Sequence, residues 1–135
     1  MTDDVPPVPP PHEQIDGALM LSFGAVHPGR ERLAVDLFTE MSRYLGRLFS
    51  AGMLTSFKPY FFADGLLGDV SGLFLLEGRR AKLDDLRRDP EFARIVLRVG
   101  AATANVRVST LVAGAEAGRL VNLYRDVRDE LGLLH

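Results

Sequence analysis

The chain has 135 residues, 47% of them hydrophobic and 25% charged, the proportions of one ordinary globular domain and too short for two comfortable ones. Its net charge of −2, with 14 Arg and 2 Lys scattered among 18 acids, lacks the basic stripe of a nucleic-acid binder, so no nucleic-acid partner is expected. The absence of cysteine excludes disulfides, thiolate metal sites and cysteine nucleophiles. The excess of Arg over Lys matches codon usage in GC-rich genomes and is not read as phosphate recognition.

Residues 1–14 hold five of the eight prolines, and the run Pro6-Pro7-Val8-Pro9-Pro10-Pro11 favours polyproline II while removing donors a sheet would need. This segment reads as a disordered Pro-rich leader, with a docking peptide as the functional alternative, and residues 15–135 read as one domain. The opening MTDDVPPVPPPHEQ has neither the basic start nor the apolar run of a signal peptide, and no later stretch offers about 18 unbroken apolar residues. A cytoplasmic protein with no membrane partner is the expectation.

From Leu19 to Ala25 large apolar side chains (Leu19, Leu21, Phe23) alternate with smaller or more flexible ones, the two-residue period of a strand. His27-Pro28-Gly29 ends it. Ala34, Leu37, Phe38, Met41, Leu45, Leu48 and Phe49 then recur at three- and four-residue steps, predicting a long amphipathic helix that stops near Gly52. Leu54–Ala63 is rich in aromatic residues and reads as a second strand, which Pro59 places at an edge or a bulge because proline donates no ladder hydrogen bond. Asp64-Gly65 and Gly68-Asp69 mark a turn, and Val70–Glu77 returns as an antiparallel third strand.

A two-part helix follows. Leu83 and Leu86 begin it, and Asp89-Pro90-Glu91 supplies an N-cap, a first-turn proline and an early acid for a fresh start. Phe92, Ile95, Val96 and Val99 continue the apolar stripe toward Asn105, after which Val106–Ala113 alternates as a fourth strand. Ala115–Leu131 places Leu120, Leu123, Tyr124, Val127 and Leu131 on one face of a C-terminal helix.

The order is a doubled β-α-β unit, and right-handed crossovers make a four-stranded antiparallel ferredoxin-like sheet its simplest solution. The fold class is therefore α+β, with both helices on one sheet face and one helix added at the C-terminus. The other face is too apolar to stay in water, and a second copy covers it with a single self-complementary surface, so a homodimer is expected.

The strand entering HPGRE at 27–31, the hairpin DGLLGDVSG at 64–72 and RRDPEFARI at 87–95 resemble the dimeric α/β-barrel superfamily, nearest to uncharacterised bacterial members and distantly like antibiotic-biosynthesis-type monooxygenases. The similarity spans roughly residues 17–114. These motifs mark joints, a hairpin and a helix restart, so the resemblance implies a fold, two sheets packed face to face into a barrel, and does not choose a chemistry. The superfamily's haem-degrading branch uses Asn, Trp and His; this chain has no Trp, and its Asn105 and Asn122 fall at a helix end and in the last helix. No haem or other cofactor is expected.

In such a barrel a site lies between the helix-free face and the partner. With Leu19, Leu21 and Phe23 toward the helices, Met20, Ser22 and Gly24 line the interior. In the fourth strand Val106, Val108 and Thr110 face the helices while Arg107 and Ser109 point inward. Around Pro59 the phase is open: either Lys58, Tyr60 and Phe62 or Phe57 and Phe61 point inward. The first choice gives an apolar cavity with convergent polar groups, suited to an aromatic or acyl anion. The plainer alternative pairs Arg107 with an acid such as Glu77 and leaves Tyr60 as filler.

His27, the one histidine away from the termini, is the residue type best suited to acid–base work at neutral pH, yet a histidine before Pro-Gly also serves as a plain joint. His12 and His135 have no expected role. The acids Asp84, Asp85, Asp126, Asp129 and Glu130 lie on helix surfaces and converge on no metal, and no Gly-rich phosphate loop occurs. Three functions stay open: a homodimer binding a small apolar or aromatic molecule; a cofactor-independent monooxygenase or isomerase using His27 or Tyr60 beside Arg107; and a non-catalytic scaffold acting through its last helix and leader.

Overall fold

The structure is a computed structural model that describes residues 15–132. The Pro-rich leader, His12 and His135 lie outside the described residues. In chain order the elements are β1 (Gly17–Phe23), α1 (Glu31–Ser50), β2 (Ser56–Phe61), β3 (Gly72–Gly78), α2 (Arg80–Arg87), α3 (Pro90–Ala102), β4 (Arg107–Val112) and α4 (Gly114–Glu130). The strands form one antiparallel sheet in the order β2-β3-β1-β4, so the two middle positions belong to β3 and β1.

Period-two alternation in β1 does place Leu19, Leu21 and Phe23 in the core, opposite Leu76, Phe74 and Gly72 of β3. The strand begins two residues earlier than its alternation suggested, at Gly17, and stops at Phe23 because Gly24 leaves the ladder. A Cβ on Gly24 would lie 2.6 Å from the Asp69 carbonyl oxygen and 2.9 Å from that of Ala104. Only glycine lets the two loops close over the chain there, so Gly24 lies under them and does not line the interior.

α1 buries Ala34, Leu37, Met41, Tyr44 and Leu45 against the sheet. Phe49 departs from the expected stripe and is exposed; at the last turn of α1 it meets the edge of the sheet, where its ring packs edge-on to Phe57 at 6.2 Å. The two-part helix restarts as its sequence indicates. The Asp89 carboxylate accepts from the Glu91 backbone N–H at 2.9 Å, Pro90 occupies the first turn, and Phe92, Ile95 and Val99 turn inward.

β2 is an edge strand, and Pro59 sits in it without a bulge: Ser56 to Phe61 pair one for one with Glu77 to Gly72. An edge position tolerates the missing N–H. Phe61 packs into an aromatic group with Phe23 and Phe38, at 5.9 and 6.4 Å between ring centroids, which locks the phase of the strand. All helical cover from α1, α2 and α3 lies on this one side of the sheet.

Candidate functional site

Directly paired residues of an antiparallel sheet share a face, so the register lays out the helix-free side as three rows. The first runs Tyr60–Leu73–Ser22–Arg107 across β2, β3, β1 and β4; the second Lys58–Leu75–Met20–Ser109; the third Ser56–Glu77–Ala18–Leu111. The open phase around Pro59 thus resolves in favour of Lys58 and Tyr60 on this face, with Phe57 and Phe61 on the other. Phe62 follows the strand end beside Tyr60, and Tyr60, Phe61, Phe62 and Leu73 together line a shallow depression of about 210 Å³.

The middle of the face is apolar and its margins are polar. Leu73, Leu75 and Met20 are half-buried at the centre, while Ala18 and Ser22 are buried between their larger neighbours. Glu77 accepts from the Ser56 hydroxyl at 3.0 Å. Arg107 stands two rows from Glu77 and pairs with another acid. Its guanidinium instead holds both carboxylate oxygens of Asp69, one of them at 3.1 Å, reaching from β4 to the loop between β2 and β3. That fork holds the Asp69 carboxyl below the ordinary aspartate range, by the hydrogen bond first and the nearby positive charge after it.

Three strand spacings of about 4.8 Å separate β2 from β4, so Tyr60 and Arg107 stand roughly 14 Å apart at their backbones. Both are long side chains, and they converge only on a molecule lying across Leu73 and Ser22. His27 lies beyond the rows. Its backbone N–H donates to the Ala102 carbonyl at 2.8 Å and its own carbonyl accepts from Arg30 at 3.0 Å, tying the β1–α1 joint to the end of α3.

A larger cleft of about 400 Å³ opens elsewhere, between the end of α1 and the start of α2, lined by Phe49, Met53, Leu54, Arg79 and Lys82. Lys82 donates to the Gly52 carbonyl at 2.9 Å across it. Sequence reasoning missed this cleft, and a lone Lys82 on a helix gave no signal of it. Among the described residues no three His, Cys, Asp or Glu side chains gather as a metal site, and no helix is long and apolar enough to cross a membrane.

No family model matches the sequence, and no curated protein matches it. Solved structures do match. A conserved protein from Methanosarcina mazei superposes with a TM-score of 0.56 at 12% identity, over 76% of this chain and 97% of that one. A dimeric ferredoxin-like protein of unknown function from a Jannaschia species gives 0.56 at 20% identity, over 72% and 99%. The fold is ferredoxin-like. This ferredoxin-like sheet is also similar to that of SnoaB, a cofactor-independent oxygenase from Streptomyces nogalater, with a TM-score of 0.52 at 12% identity over 73% of this chain and 94% of that one. Antibiotic biosynthesis monooxygenase-type and DABB-family proteins are among the further neighbours.

Proposed function

We propose that two copies of the chain pack their helix-free sheet faces together and bind a small apolar or aromatic anion between them. The observation that carries this reading is the first row: an apolar floor of Leu73 with buried Ser22, flanked by the Tyr60 phenol and the Arg107 guanidinium. A site of this kind needs apolar area for affinity and a few placed polar groups for orientation. Ser109 and Lys58 flank it in the next row, and Phe62 extends the wall beside Tyr60. Asp69 occupies the Arg107 fork as an internal carboxylate, and an incoming anion takes its place.

The probe we would use is 1-anilinonaphthalene-8-sulfonate, an aromatic anion whose fluorescence rises on transfer to an apolar site. Saturable binding is expected, weakened at least tenfold by Arg107→Gln, the loss of one charge-assisted hydrogen bond of about 1.5–3 kcal/mol. Asp69→Asn, which removes the competitor, is expected to tighten it. Binding indifferent to Arg107→Gln and Tyr60→Ala but lost with Lys82→Ala would place the probe in the α1–α2 cleft and overturn this reading.

Catalysis without a cofactor is the second reading, favoured by the likeness to SnoaB and by Tyr60 sharing a row with Arg107. The Tyr60 hydroxyl would relay a proton from a bound hydroxyaromatic substrate held by Arg107, taking it up while passing its own to solvent, with His27 the other candidate acceptor. Oxygen uptake with an electron-rich hydroxyaromatic compound, lost in Tyr60→Phe while the fluorescent probe still binds, would establish turnover at this site. Uptake unchanged in Tyr60→Phe and lost in His27→Ala would transfer the role.

A further inference from the structure

α4 has no buried residue, although Leu120, Leu123, Tyr124 and Val127 recur on it at three- and four-residue steps and Leu131 follows at its end. An ion pair in its first turn, Glu116 with Arg80 of α2, ties it to the rest of the subunit. Every other helix of the fold seats its apolar stripe on the sheet. A stripe of this size left in water marks a surface that another molecule covers.

We infer that α4 packs on the second copy of the chain and supplies the part of the dimer interface that the sheet face lacks; the inference rests on the sheet-to-sheet reading above. Area is the first argument. Four strands about 4.8 Å apart and about 20 Å long present roughly 400 Å², about half of the ~800 Å² per partner that a stable interface buries. The 17 residues of α4 make a rod about 25 Å long and about 10 Å wide, which adds roughly 250 Å² before side-chain relief is counted. Sheet and helix together offer a flat footprint of roughly 650 Å² against roughly 400 Å² for the sheet alone, so the helix enlarges the interface by more than half.

Continuity is the second argument. Only Ala113 separates β4 from α4, and the chain turns there through Gly114 with φ +61°. The helix therefore starts at the end of β4, an edge strand, next to Leu111, which is exposed in the third row of the helix-free face. Charge is the third. From Arg119 to Glu130 three arginines stand against three acids, a balanced surface that favours neither nucleic acid nor an anionic membrane and does not repel a copy of itself.

Sedimentation equilibrium of the full chain, with Leu123→Glu/Val127→Glu in α4 and Leu75→Glu on the sheet as paired variants, tests the inference. Because Leu123 and Val127 are exposed in their own subunit, the helix variant is expected to keep the wild-type thermal midpoint of the dissociated monomer while its dimer dissociation constant rises at least tenfold. A chain ending at Ala113, whose core is intact without α4, is expected to behave the same way. A helix variant that dimerises like wild type, with only Leu75→Glu disrupting the dimer, overturns the role of α4 and leaves the sheet reading standing. A dimer lost with the helix variant but indifferent to Leu75→Glu overturns the sheet reading instead. A wild-type monomer at all concentrations overturns both.

Discussion

Tyr44 carries a buried hydroxyl with no hydrogen-bond partner, the one such side-chain atom among the described residues. Burial, aided by the nearby Asp89 and Glu91 carboxylates, pushes its pKa up to about 12. A raised folded pKa means the unfolded chain releases this proton first, so the contribution of Tyr44 is full below about pH 10 and is lost as the pH climbs toward 12. Tyr44→Phe is expected to match or exceed wild-type stability by about 1 kcal/mol in urea unfolding at pH 7, since it removes an unsatisfied polar group, and to flatten the alkaline limb of the stability curve. Sequence periodicity passed over this residue because a phenol does not announce itself as core. Gly24 makes the opposite prediction: a Cβ there meets two backbone carbonyls that cannot swing aside, and Gly24→Ala is expected to cost about 1–3 kcal/mol. The partner of Arg107 was hidden for a different reason. Asp69 lies 38 residues away in a loop, and nothing in local spacing links a loop carboxylate to the first residue of an edge strand.

At the scale of elements, legibility followed how many independent local signals agreed. The α3 start was fully readable, since cap, proline and acid coincide, and Asp89→Ala is expected to lose about 1 kcal/mol of stability, measured by thermal or urea unfolding, through the Glu91 N–H it strands. In β2 a single signal, Pro59, spoke for an edge but not for a phase, because an edge strand and a bulge both accommodate a missing donor. The phase is fixed by tertiary contacts, the Phe61–Phe23–Phe38 group on one side and the Ser56–Glu77 pair on the other. α4 shows the reverse case: its stripe was plain in the sequence, and what the stripe packs on was not, because an apolar periodicity specifies a partner surface without saying which molecule provides it.

For the whole molecule, the helix-free face and α4 are two uncovered apolar surfaces on one chain, and the proposed two-fold arrangement would bury both with no other component. The doubled β-α-β order made the sheet topology legible, since it leaves few unknotted right-handed arrangements. It left the chemistry illegible, because the same sheet carries many activities and the residues that distinguish them lie on a face defined only once the register is known.

The most direct test of that arrangement is a distance across it. With no native cysteine, Ser109→Cys offers a single labelling position in the middle row of the face, and pulsed dipolar EPR then reads the separation of the two labels in the dimer. Sheets stacked face to face lie about 10 Å apart, so label-to-label distances below roughly 30 Å are expected. A dimer with separations beyond roughly 40 Å, as an edge-to-edge or helix-to-helix pairing would give, or no dipolar signal at all, would contradict the account.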